Sequence, residues 1–269
     1  MADGYFDAPI FIKEKHETTI DTFQTPFFYN DEGQPTYVKE LPDGVTPLVP
    51  ATTDPNVAIG NEYVVSEVIG VKQTPPYGVE TQLGFIAKEV VFEPMWVTRD
   101  VAAAFGITLV EKGHGVLLSS PVVELSQIEY EYGVFAGHWS PYQGTGNKLL
   151  TVECTDLEHH NFPHIFTSTD PNFPLVISVG RYWPKLCKIR LADLWVPCGS
   201  ALYIPPKPAS NSLECLDLHN NRNSARACWG DIEQSSLVTK TLLQAKNGFF
   251  YWYWNATPTV HTNLATKGL

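Results

Sequence analysis

Phe249-Phe250-Tyr251-Trp252-Tyr253-Trp254 places six aromatic side chains in a row. Successive side chains of an extended strand point to opposite faces, so a strand built from this run is aromatic on both. Both faces then need cover. Two packed layers supply it, and so does one layer backed by a subunit interface. Outward from this run, short β-branched and aromatic segments bounded by Gly, Pro and Asn recur through the chain. Tyr63-Val64-Val65, Val68-Ile69-Gly70-Val71, Leu83-Gly84-Phe85-Ile86 and Val90-Val91-Phe92 are the first of them. Further runs lie at 107–110, 115–118, 149–152, 175–179 and 202–204. Their spacing, roughly 8 to 20 residues, is that of an all-β sandwich or barrel with some long loops.

Helix signals are few. Thr98-Arg99-Asp100 offers caps for a short turn through Val101-Ala102-Ala103-Ala104, stopped by Gly106. Asp231 offers a cap for a helix over 232–246, which Asn247-Gly248 would end. Leu125, Ile128 and Tyr132 have helical spacing, yet 122–130 also suits a strand. The first 60 residues read differently. Seven prolines (Pro9, Pro26, Pro35, Pro42, Pro47, Pro50 and Pro55) break them, each removing a backbone donor. Between them lie extended runs, Ile10-Phe11-Ile12 and Phe27-Phe28-Tyr29, and turn chemistry such as Asn30-Asp31-Glu32-Gly33. The expected fold is mainly β, a sandwich or jelly-roll-like barrel with long loops and one or two short helices. Residues 1–60 are expected to form an extended arm and 61–269 a single β-rich domain.

Charge narrows the function classes. The 269 residues carry 18 basic and 29 acidic side chains, a formal net charge of -11. That field repels nucleic acid and anionic lipid, and nowhere do three Lys or Arg residues stand together. No direct nucleic-acid partner is expected. No apolar run reaches the ~20 residues of a membrane-spanning helix. Met1-Ala2-Asp3-Gly4-Tyr5 has neither basic nor apolar leader character, so no secretory leader is expected. With no such leader and an odd number of cysteines, Cys154, Cys187, Cys198, Cys215 and Cys228 are expected to be reduced and buried.

The densest polar stretch is 153–164, with Glu153, Asp156, Glu158, His159, His160 and His164. Histidines and carboxylates so close together form a candidate metal or acid–base site, which the competing expectation of a solvated loop would leave empty. Pro163 opposes a helix that would align His160 with His164. A second zinc candidate, Cys198, Cys215, His219 and Cys228, lacks any C-x-x-C pair. No G-x-S-x-G elbow occurs, and Gly144-Thr145-Gly146-Asn147-Lys148 lacks the spacer and Lys-Ser/Thr pair of a phosphate loop. Trp139, Tyr142 and Trp183, if exposed, are candidate sugar platforms.

Low charge, many aromatics and a proline-broken arm suit a surface spent on partners, since interface cores deplete Lys and Glu and enrich aromatics. The whole-chain pattern is similar to virion structural proteins, a resemblance of style that no single motif carries. It implies a non-enzymatic assembly subunit, a capsid or other virion component without a cofactor. Its partners would be copies of itself and other structural proteins, and it would assemble in the host cytoplasm. The expected interface residues are Phe23, Phe27, Phe28, Tyr29, Trp252 and Trp254, whose rings would be covered by neighbouring copies. Two other classes stay open: a glycan-binding or glycan-cleaving β-sandwich module, and a metal-dependent enzyme using His159, His160 and His164.

Overall fold

The computed structural model describes the backbone of residues 11–12, 27–29, 35–37, 57–74, 78–111, 117–118, 126–132, 140–141, 148–151, 157–160, 164–168, 174–197, 200–205, 214–220, 237–243, 250–262 and 264. The chain is mainly β and is organised around a closed seven-strand barrel. Along the chain the barrel strands are β1 (Asn61–Thr74), β2 (Gly78–Phe85), β3 (Leu157–His160), β4 (Leu175–Trp183), β5 (Lys188–Val196), β6 (Leu216–Asn220) and β7 (Phe250–Trp254). Around the barrel the order is β4-β6-β3-β7-β2-β1-β5, and β5 closes the ring by pairing with β4. Strand direction cannot alternate all the way round an odd-numbered ring. The one parallel junction falls between β7 and β2, with Phe250 opposite Gly78 and Trp254 opposite Gln82.

Alternation along these strands separates an inner from an outer face. Val65, Leu83, Leu157, Ile189, Leu191, Leu216, Leu218, Tyr251 and Tyr253 are buried together inside. Inner space is tight: a Cβ on Gly180 would stand 3.0 Å from Leu157 Cδ1 and 3.2 Å from Leu191 Cδ2, so β4 carries no side chain there. The long β1 must bend to pair first with β5 and then with β2. It does so at two register shifts, between Val65 and Glu67 and between Ile69 and Val71; Gly70 supplies the positive φ at the second.

A second layer covers one wall of the barrel. Five antiparallel strands lie in the order Ser126–Tyr132, Leu237–Leu243, His164–Ser168, Ala201–Ile204 and Thr108–Val110. Ile177, Val179, Ala192 and Leu194, on the outer face of β4 and β5, pack against Phe166, Leu202 and Leu109 of this layer. Fully burying side chains such as Phe166 and Leu202 is worth about 1.5–3 kcal/mol each, which holds the layers together. The short helix α1 (Arg99–Ala104) adds Ala102 to the same cluster. Its cap is the expected Thr98, whose Oγ1 accepts from the Val101 N–H at 3.2 Å, and Gly106 leaves it at φ +68°.

Several expectations need correction. Residues 237–243, inside the expected 232–246 helix, form a strand paired with Ser126–Tyr132. Thr239 and Thr241 are β-branched, and cross-strand partners outweigh a mediocre helical stripe. The same pairing makes 126–132 a strand rather than a helix. Residues 157–160, expected within a solvated loop, form β3 of the barrel with all four side chains buried. Cys187 is exposed, a free thiol at φ +50° in the β4–β5 turn, and Cys215 is half-buried, whereas Cys154, Cys198 and Cys228 lie outside the described residues. In the expected arm, Phe11–Ile12 pairs in parallel with Leu117–Leu118, and Phe27–Tyr29 pairs with Pro35–Tyr37 across the expected turn. Among the described residues no helix is long and apolar enough to cross a membrane.

Candidate metal centre

The short strand β3 reads Leu157-Glu158-His159-His160, and period-two alternation divides it. Leu157 and His159 face the barrel interior. There the His159 ring stacks on Tyr251 at 4.7 Å and 5°, and lies 5.9 Å from the Tyr253 ring. Glu158 and His160 face outward. Register supplies the neighbours: Glu158 stands opposite His219 of β6 on one side and opposite Trp252 of β7 on the other. The donor atoms of Glu158, His160 and His219 all lie within 4.8 Å of one another, and each residue is at most 2% exposed. The rings of His160 and His219 meet edge to face, 4.9 Å apart.

The surroundings hold this group in place. Trp252 Nε1–H donates to Glu158 Oε2 at 2.8 Å. The Phe166 ring, from the second layer, meets His219 edge-on at 6.0 Å. Two residues before His219, Asp217 pairs with Arg181 Nε at 2.8 Å, and Arg181 Nη1–H donates to the Ala104 carbonyl at the end of α1. That carbonyl has no partner within the helix, so the guanidinium both caps α1 and balances Asp217.

A separate polar group lies on the inner face. Asp193 of β5 accepts the Ser178 hydroxyl at 2.5 Å and pairs with His261 Nδ1 at 2.6 Å. Both Asp193 and His261 are wholly buried, and the His261 ring stacks on Phe92. The carboxylate sits between serine and imidazole, so the imidazole is not placed to take the serine proton as in a Ser-His-Asp triad. Nearby, burial pushes the Tyr182, Tyr251 and Tyr253 phenols above the ordinary tyrosine value. The shift is largest at Tyr253, where the other two phenols add to the effect of burial.

Comparison of the chain with protein-family models, curated proteins and solved structures finds no match. The site is therefore read from its residues alone.

Of the residues expected to bind metal, His160 joins Glu158, while His159 is turned to the opposite face by the alternation of β3. Glu153 and Asp156 lie outside the described residues. The His164 backbone pairs with Ile204 in the second layer, and its side chain lies outside the described residues. His219, expected beside Cys198, Cys215 and Cys228, stands with Glu158 and His160, while Cys198 and Cys228 lie outside the described residues. No local spacing announces this, because sheet register brings β6 to β3.

Of the expected interface residues, Phe23 and the side chains of Phe27, Phe28, Tyr29 and Trp254 lie outside the described residues. Trp252 is half-buried and held by Glu158. Tyr251 and Tyr253 are sheltered inside the chain's own barrel rather than by a neighbour. Trp183 is buried, which removes it as a sugar platform; Trp139 and Tyr142 lie outside the described residues.

Proposed function

We propose that the chain is a non-enzymatic structural subunit that assembles with further copies of itself, as a capsid or other virion component. One observation carries this reading. Three exposed apolar side chains gather at one end of the barrel: Ile86 is 79% exposed, Val64 59% and Leu186 57%. Val65 brings them together, since its N–H bonds the Cys187 carbonyl and its register partner is Phe85. Val68 and Ile69 continue the exposed apolar character along β1. A gathered apolar surface of this kind gains by burial against another chain. Its occupant in this reading is a second copy, with the proline-broken arm adding reach. The net charge of -11 directs the subunit toward protein neighbours rather than genome. A jelly-roll or sandwich description of the fold belongs to the same proposal, supported by the layer packed on the β4–β5 wall.

The native mass of the full chain tests it. Light scattering should find an oligomer that Ile86→Asp with Leu186→Asp reduces in size while circular dichroism is unchanged. Removing residues 1–55 should likewise leave a folded species that no longer assembles. A wild-type chain that stays monomeric at every concentration overturns the proposal.

A further inference from the structure

We propose that Glu158, His160 and His219 bind one divalent transition-metal ion of the zinc class, which locks β3 and β6 of the barrel beneath the second layer. Two imidazoles and one carboxylate are a donor set that zinc and its neighbours accept. The three come from adjacent strands and converge on one outer-face point, with donor atoms within 4.8 Å of one another. An ion with bonds of about 2.0–2.1 Å holds neighbouring donors roughly 3.3 Å apart, so closing the set asks for about an ångström or so of side-chain movement. Torsions of Glu158 and His160 supply a movement of that size without disturbing the strands.

One further observation separates this group from an incidental polar cluster. The Trp252 indole N–H holds one oxygen of Glu158, the outer-shell arrangement that orients a ligating carboxylate. A Glu158 carboxylate at 2% exposure needs a compensating charge, which an ion shared with the two imidazoles supplies. Convergence of all three donors favours the ion. The role is structural rather than catalytic: Phe166 lies against His219, and all three donors are at most 2% exposed.

The test uses the full chain. Elemental analysis of protein purified without chelator should give close to one zinc-class ion per chain. Chelation should lower the melting temperature, and Zn2+ should restore it. Co2+ loaded in place of Zn2+ should absorb in the visible, and His160→Asn and His219→Asn should abolish that absorption. His159→Phe, which keeps a ring on the inner face, should leave it intact. Trp252→Phe should weaken binding by roughly 10- to 100-fold. Absence of stoichiometric metal together with a melting temperature indifferent to chelator and Zn2+ overturns the proposal. So does a Co2+ signal that survives both asparagine variants, which would mark an adventitious ion only. The wild-type chelation cycle decides the matter even if a variant fails to fold.

Discussion

The two faces of β3 and β6, with β7 beside them, are both buried and chemically opposite. Inward stand Leu157, Leu216, Leu218, Tyr251 and Tyr253, with His159 as a flat ring stacked among them. Outward stand Glu158, His160, Asp217, His219 and Trp252, joined by directed contacts. Apolar packing on the inner face is non-directional and rewards filled volume. The outer face is held by polar groups whose burial is tolerated only while each keeps its partners. The inner face is therefore sensitive to volume, the outer face to the loss of a single partner. Asp193 breaks the division, because it is a carboxylate held by directed contacts on the inner side.

The largest expected effect comes from that exception. Asp193→Ala strands Ser178 and His261, and should lower unfolding stability by about 3–5 kcal/mol in urea titration. Asp217→Ala on the outer face leaves Arg181 buried beside the Ala104 carbonyl and should approach, without exceeding, the same loss. If Asp217→Ala proved the more damaging, the outer layer rather than the barrel would be the keystone of stability. Next comes a change of volume alone. Gly180→Val drives methyl groups into Leu157 and Leu191 and should cost about 1–3 kcal/mol by the same measurement. A neutral result would mean that the inner face holds spare room.

The smallest expected effect is a pH dependence confined to the inner face. Tyr182, Tyr251 and Tyr253 titrate above the ordinary value of 10.0 in the folded chain. The unfolded chain therefore gives up these protons first as pH rises. Their contribution to stability is complete below pH 10 and declines as pH climbs through and beyond it. The urea midpoint should fall between pH 9 and about 11, and Tyr253→Phe should flatten the decline. A midpoint equally steep in that variant would place the titrating groups elsewhere.

Much of the strand content was legible because β-branched and aromatic runs read the same way wherever they pair. Thr98, α1 and Gly106 were legible for a related reason: a cap, a short apolar turn and a stop are local chemistry. Strand 237–243 was not, because a stripe of Leu and Val at mixed spacing satisfies two periods, and only its partner at 126–132 decides. The candidate centre was half legible. Glu158 and His160 stood out by density within 153–164, and His219 stood out only in a different set, with Cys198, Cys215 and Cys228. His159 was grouped with His160 because proximity along the chain hides the alternation that sends neighbours to opposite faces.

Composition and pattern by themselves determined a mainly β chain, acidic, poor in helix, with an aromatic strand near its C-terminus that needs cover on both sides. Tertiary structure alone decided what covers its inner side: a seven-strand ring that buries Tyr251 and Tyr253 and in which β7 meets β2 in parallel. The physical reason is range. Propensity, caps and turns act over a few residues, whereas register sets which distant strands become neighbours. Trp252 meets Glu158 across 94 positions, and only the closed sheet carries that information.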